Sequence, residues 1–142
     1  MFFRAWGSDI GPDYSPFEAG LGWAVKLNKS DKPFQGREAL KAQLAGGVEG
    51  LKRRLACFTP VEKTIQLFGR ETIYRNGARV GWLSSGGYGH FLQTPIGIGH
   101  VRHTDGVSDE FLGSGEYELD VAGVRYACDL SLQPLMTDPK DC

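Results

Sequence analysis

Few residues in this chain are of types that do chemistry, and their spacing limits what they can do. There are three histidines, His90, His100 and His103, with the acids Asp105, Asp109 and Glu110 nearby. Three converging histidines backed by carboxylates can hold zinc. Strand alternation instead places His100 with Arg102 on one face and His103 beyond the strand end, so the trio reads as surface or hairpin-end histidines. Ser84 or Ser85 could be a nucleophile assisted by His90 or His100, but a Gly-x-Ser-x-Gly elbow is missing and no strand-to-helix turn follows. Glu62 with Glu71, or Asp105 with Glu110, could pair as acid and base, although exposed turn carboxylates are the simpler reading. Cys57 sits in an apolar strand pattern, where a thiol is ordinarily inert. Lys52-Arg53-Arg54 could gather an anion or be solvated surface. Neither a catalytic residue nor a metal set emerges from type and spacing.

The stretch Gly81-Trp82-Leu83-Ser84-Ser85-Gly86-Gly87-Tyr88-Gly89-His90 is the most distinctive. Upstream, Thr72-Ile73-Tyr74-Arg75 and Arg79-Val80-Gly81-Trp82-Leu83 bracket Asn76-Gly77, a pair suited to the positive φ angles of a type I′ turn. The two runs predict a hairpin that delivers Ser84 to His90 as a Gly-rich loop at a sheet edge. A phosphate cradle would need a helix behind that loop, and Thr94-Pro95-Ile96-Gly97-Ile98-Gly99-His100-Val101 reads as another strand.

Lysine and arginine total 16 against 17 acids, a net charge of −1, so no field favours nucleic acid or an anionic membrane. The 41% hydrophobic content suits a folded core. The 20 glycines are spread along the chain, which predicts many short strands joined by tight turns. Three cysteines without a C-x-x-C pair argue against a disulfide framework or a zinc knuckle and fit a reducing compartment. No apolar run reaches the ~18 residues of a membrane span, and Met1-Phe2-Phe3-Arg4 lacks signal-peptide features, so neither membrane insertion nor secretion is expected. The crowded aromatics Phe2, Phe3 and Trp6 suggest a fragment of a longer chain; alternatively they pack back on the rest.

The positioning elements follow from periodicity. Residues 9–17 carry loop chemistry, Gly20 to Leu27 alternates as a strand with Leu21, Trp23, Val25 and Leu27 on one face, and Asn28 to Pro33 is a charged turn. A short amphipathic helix runs from Gln35 or Gly36 to Leu44 and ends at Gly46-Gly47. Strands are then expected at 51–58, on both sides of Asn76-Gly77, at 95–102, and on both sides of Ala122-Gly123. The fold class is mainly β: a small antiparallel Greek-key-like barrel of about six strands over 51–133, preceded by a short α+β segment.

Taken together, these motifs resemble one family along nearly the whole chain. Arg4-Ala5-Trp6-Gly7-Ser8-Asp9-Ile10, Pro16-Phe17-Glu18-Ala19-Gly20-Leu21-Gly22-Trp23 and Phe34-Gln35-Gly36-Arg37-Glu38-Ala39-Leu40 resemble the end of the folate-binding region of sarcosine and dimethylglycine dehydrogenases. Residues 69–77, Val80 to Gly89 and Ile98-Gly99-His100-Val101-Arg102 resemble the C-terminal barrel shared with the glycine cleavage T protein, the aminomethyltransferase. Pro134-Leu135-Met136-Thr137-Asp138-Pro139 is similar to the segment that ends the barrel in these dehydrogenases.

The resemblance implies that 1–46 is the tail of a folate-binding domain with its connector helix, and that 47–142 is the barrel domain. It also implies a parent enzyme in which an FAD domain oxidises an N-methyl amine and a tetrahydrofolate domain captures the one-carbon unit. The FAD part and the family's Arg-Leu-Glu run and catalytic aspartate are not in this sequence, so the chain alone is expected to be inactive. Its expected partners are those folate and flavin domains, with a homo-oligomer also open. The parent would be mitochondrial if eukaryotic and cytoplasmic if bacterial. Within the chain, the barrel would close one side of the folate cavity through Ser85, Gly86, Gly87 and Tyr88 of the Gly-rich loop, with Glu18 and Trp23 at the pocket rim. From its strand register Trp23 reads first as core and only second as rim, and Glu18 could equally be a turn cap. Met136-Thr137 replaces a family tyrosine and Phe91-Leu92-Gln93-Thr94 a Lys-containing run, which points to a divergent substrate or a regulatory relative similar to the pyruvate dehydrogenase phosphatase regulatory subunit. A stand-alone interaction module is the other reading.

Overall fold

The computed structural model describes residues 4–27, 33–47, 50–133 and 135. Phe2 and Phe3, most of the charged turn before Pro33, and the closing segment except Leu135 lie outside the described residues.

Six strands form a closed barrel: β1 (Arg53–Pro60), β2 (Thr72–Arg75), β3 (Ala78–Gly89), β4 (Thr94–Arg102), β5 (Tyr117–Val121) and β6 (Val124–Ser131). Their order around the wall is β1-β4-β3-β2-β5-β6, and every pairing is antiparallel. Strands β2, β3 and β4 follow one another by hairpins while β1 lies beside β4, which is Greek-key connectivity. Asn76 and Gly77 take φ of 49° and 79°, as the type I′ turn requires. The second hairpin turn holds Ala122 at φ 53° before Gly123 at 88°, a left-handed conformation that a Cβ makes costly.

Phe58, Ile73, Leu83, Val101 and Leu119 fill the interior. Two connections close the barrel ends by sending in Leu67 between β1 and β2, and Val107 and Leu112 between β4 and β5. Leu112 sits on α2 (Asp109–Gly113), a helix too short for periodicity to reveal; the Ser108 side chain caps it by accepting from the Phe111 amide at 2.9 Å. Helix α1 runs over Arg37–Leu44, within the expected span.

Two expectations are corrected. The Gly-rich stretch is not a loop, because β3 continues through Gly89 and pairs along its length with β4. Glycines of β3 and β4 stand where neighbouring atoms leave no room for a side chain. A Cβ on Gly86 would lie 2.7 Å from the Leu67 carbonyl, one on Gly97 2.4 Å from Leu83 Cδ1, and one on Gly81 2.0 Å from the His100 carbonyl oxygen. Nor is 20–27 a strand: Gly22–Ala24 is a 3₁₀ turn. Gly20 has φ 67°, and the amides of Ala19, Leu21 and Ala24 bond locally to Ser15, Pro16 and Leu21 carbonyls, which leaves no ladder for a partner strand.

Candidate functional site

Residues 4–27 lie along the outside of the β1, β3 and β4 wall, and their polar side chains fix them there. Asp9 is 1% exposed. Its carboxylate accepts from the Ala5 amide at 2.8 Å, and from the hydroxyls of Ser84 and Ser85 at 2.5 and 2.8 Å. A buried carboxylate survives only with such donors. Both serines can reach it because β3 bulges between Leu83 and Ser85, which turns successive side chains to the same side.

Farther along, the Glu18 carbonyl accepts from the Leu55 amide at 2.8 Å. The Glu18 carboxylate pairs with Arg53 Nε at 2.9 Å and accepts from the Ser15 amide at 2.9 Å. Arg53 also donates to the Asp13 carbonyl and lies over the Tyr14 ring, 4.5 Å from its centroid. The Tyr14 ring also stacks on His100, at 4.2 Å between ring centroids and 16° between planes. His100 is therefore neither a surface nor a hairpin-end histidine: it is 3% exposed. Burial first, then the charges of Arg102 and Arg53, push its pKa down to about 4, with Asp9 pulling weakly upward. His90 and His103 face other rings, Tyr88 and Phe111. Among the described residues no group of three His, Cys, Asp or Glu converges as metal ligands.

Between this segment and the barrel lies a groove of about 580 Å³. The segment contributes Arg4, Glu18 and Trp23; the barrel side contributes Arg54 and Ala56 of β1 and Leu132 beyond β6. Trp23 is 75% exposed, which removes its reading as core and leaves a flat ring at the rim. Arg4 Nε donates to the Ala19 carbonyl at 2.7 Å, and burial lowers the affinity of its guanidinium for a proton despite Asp9. Arg54 is paired with the exposed Asp109. Cys57 also borders the groove, but burial pushes its thiol up to about 12, so it supplies no thiolate nucleophile near neutral pH. The groove offers a stackable ring, an apolar wall and two guanidinium groups, which is equipment for binding.

Of the residues expected at the site, Glu18 and Trp23 meet in this groove, whereas Ser85, Gly86, Gly87 and Tyr88 are absent from its lining. Ser85 holds Asp9, Gly86 lies against Leu67, and Tyr88 is half exposed with its ring edge-on to His90. Glu18 is committed to Arg53 and Ser15, which is the arrangement of a turn cap, and it also borders the groove. Sequence alone gave no role to Asp9 or Tyr14, and it set His100 at a surface or hairpin end and not beneath the Tyr14 ring. One signal was available for Asp9, an acid in a short run between the apolar Trp6 and Ile10.

A closed six-stranded Greek-key barrel with a polar-anchored segment across its wall defines the class of protein. The chain belongs to the glycine cleavage T-protein C-terminal barrel domain family, whose model matches residues 53–136. It is similar to sarcosine dehydrogenase, mitochondrial, of Mus musculus, with 44% identity over 133 residues, 92% of this chain and 14% of that protein. It is 38% identical over 138 residues to dimethylglycine dehydrogenase, mitochondrial, of Mus musculus, covering 96% of this chain and 15% of the relative. The pyruvate dehydrogenase phosphatase regulatory subunit, mitochondrial, of Mus musculus is 34% identical over 145 residues, 94% of this chain and 16% of its own length. The chain thus spans about one seventh of these relatives. Among solved structures, the glycine cleavage system aminomethyltransferase T from Bartonella henselae matches with a TM-score of 0.71 and 27% identity, over 92% of this chain and 34% of that one. The likeness covers the segment as well as the barrel.

Proposed function

We propose that this chain is the carboxy-terminal part of a folate-linked, flavin-dependent N-methyl amine dehydrogenase of the sarcosine or dimethylglycine type. In this reading the barrel and its docked segment form one wall of a tetrahydrofolate cavity, and the groove is the part of the wall that faces the ligand. The observation that carries the reading is the 44% identity over 133 residues, which extends through the segment that lines the groove. The groove's chemistry agrees with it. A pterin or aminobenzoyl ring can stack on Trp23, the apolar wall of Ala56 and Leu132 excludes water, and Arg4 and Arg54 suit a carboxylate tail. Tetrahydrofolate would supply the amines that take up the one-carbon unit as a methylene group. This chain would hold and shield the ligand, while flavin oxidation would occur in the preceding part of the parent protein. Its partners are then the folate and flavin domains of that parent, and its compartment the mitochondrial matrix in a eukaryote.

The test is calorimetric titration of the full-length parent with tetrahydrofolate. Trp23→Ala should weaken binding about tenfold, the equivalent of one aromatic stack, while flavin reduction by the amine is unchanged. Unchanged affinity in both Trp23→Ala and Arg54→Ala would refute the wall role. The second reading, a regulatory interaction module, is favoured by the likeness to the phosphatase regulatory subunit and by the exposed Trp6, and it would gain from that result.

A further inference from the structure

We propose that residues 4–27 are a strap whose docking on the barrel is released by protonation of His100, so that the groove keeps both its walls only near neutral pH. The strap covers His100 with the Tyr14 ring, and the imidazole Nε2 has no hydrogen-bond partner among the described residues. The charged groups around it come from three elements. Arg53 of β1 lies over the far side of Tyr14, and Arg102 of β4 approaches the Tyr14 hydroxyl at 3.5 Å. The strap brings Asp9 and Glu18, and both are committed: Asp9 to Ala5, Ser84 and Ser85, and Glu18 to Arg53 and Ser15. The register neighbours of His100, Leu55 on β1 and Trp82 on β3, carry no charge.

A neutral imidazole suits this pocket. An imidazolium would be a third cation beside two guanidinium groups, out of water and lacking an acceptor for its Nε2 proton. Its escape is to shed Tyr14 and meet solvent, which requires the strap to lift. Arg4, Glu18 and Trp23 then leave with it, and the groove loses one side. The docked pKa of about 4 lies below the ordinary 6.5, so protons bind preferentially to the undocked state. Docking is complete above 6.5 and weakens as pH falls towards 4. From pH 7 to pH 5 the docking constant falls by up to about 20-fold if lifting restores the ordinary pKa.

Amide hydrogen exchange of the 142-residue chain, corrected for intrinsic rates, reads this directly. The Leu55 amide donates across the seam to the Glu18 carbonyl and reports docking, whereas the interior β-ladder amides at Ile73 and Leu119 report the barrel. The expected result is a fall in protection of up to about 20-fold at Leu55 from pH 7 to 5, a steady barrel, and loss of that pH dependence in His100→Phe, which keeps a ring under Tyr14. Equal pH dependence in His100→Phe would overturn the proposal. So would parallel loss of barrel and strap protection in the natural chain. Should the variant fail to fold, the NMR titration of His100 in the natural chain decides: a midpoint near 6.5 with the strap docked overturns the strap mechanism, and one near 4 supports it.

Discussion

Phe58, Ile73, Leu83, Val101 and Leu119 meet at the centre of the barrel without a charged group among them, whereas the seam between residues 4–27 and the wall buries Asp9, Glu18 and His100. Both regions exclude water. In the barrel, exclusion itself is the stabilising term, and the sheet ladder satisfies the backbone. In the seam, exclusion costs free energy at each polar group, and specific donors and acceptors must offset it. The barrel should therefore respond to changes in side-chain volume, and the seam to changes in charge and hydrogen-bonding capacity.

Substitutions can test that contrast. Leu83→Ala removes a fully buried side chain from the centre and should cost about 2–5 kcal/mol in denaturant unfolding, with loss of both regions together. Asp9→Ala should cost about 2–3 kcal/mol of strap docking by leaving the Ala5 amide and the Ser85 hydroxyl without their acceptor, while Ser84 keeps the Ile98 carbonyl. Exchange should rise at Leu55, whose amide bonds the strap at Glu18, while barrel amides hold; equal loosening of the barrel would erase the contrast. Acid should act on the seam alone through His100. Because the folded pKa is depressed, this contribution is intact above pH 6.5 and lost as pH falls towards about 4, reaching up to about 2 kcal/mol at pH 5 in pH-dependent unfolding. The smallest effect is a gain. Ala122→Asn in the β5–β6 turn should raise stability by about 0.5 kcal/mol, visible in thermal unfolding, because Asn tolerates the left-handed φ that Ala122 adopts.

The same contrast explains what could be read in advance. Hairpins at Asn76-Gly77 and Ala122-Gly123, and strands with two-residue periodicity, are local signals, and six strands were legible from them. The Gly-rich run misled because Gly86 and Gly89 are needed where β3 approaches Leu67 and Ile96, contacts that exist only once the β1–β2 connection and β4 pack on it. Gly20 to Leu27 alternates as a strand does, yet its amides bond within the segment. Trp23 and Glu18 stood out by residue type, and the structure sets both beside the groove, with Trp23 exposed and not in the core. Asp9, Tyr14 and His100 were hidden because their partners lie 75 or more residues away for Asp9 and Ser84, and 86 away for the ring stack, beyond any pattern of spacing.

The barrel closes by pairing its first strand with its last, Cys57 opposite Ser131 and Pro60 opposite Cys128. During synthesis β1 must therefore wait for nearly the whole domain to leave the ribosome before its second edge is covered. Such distant pairing slows folding, since loop closure precedes any reward from contact. Until then an apolar strand edge stays open, and the strap, made earlier, is the first part of the chain able to lie against it.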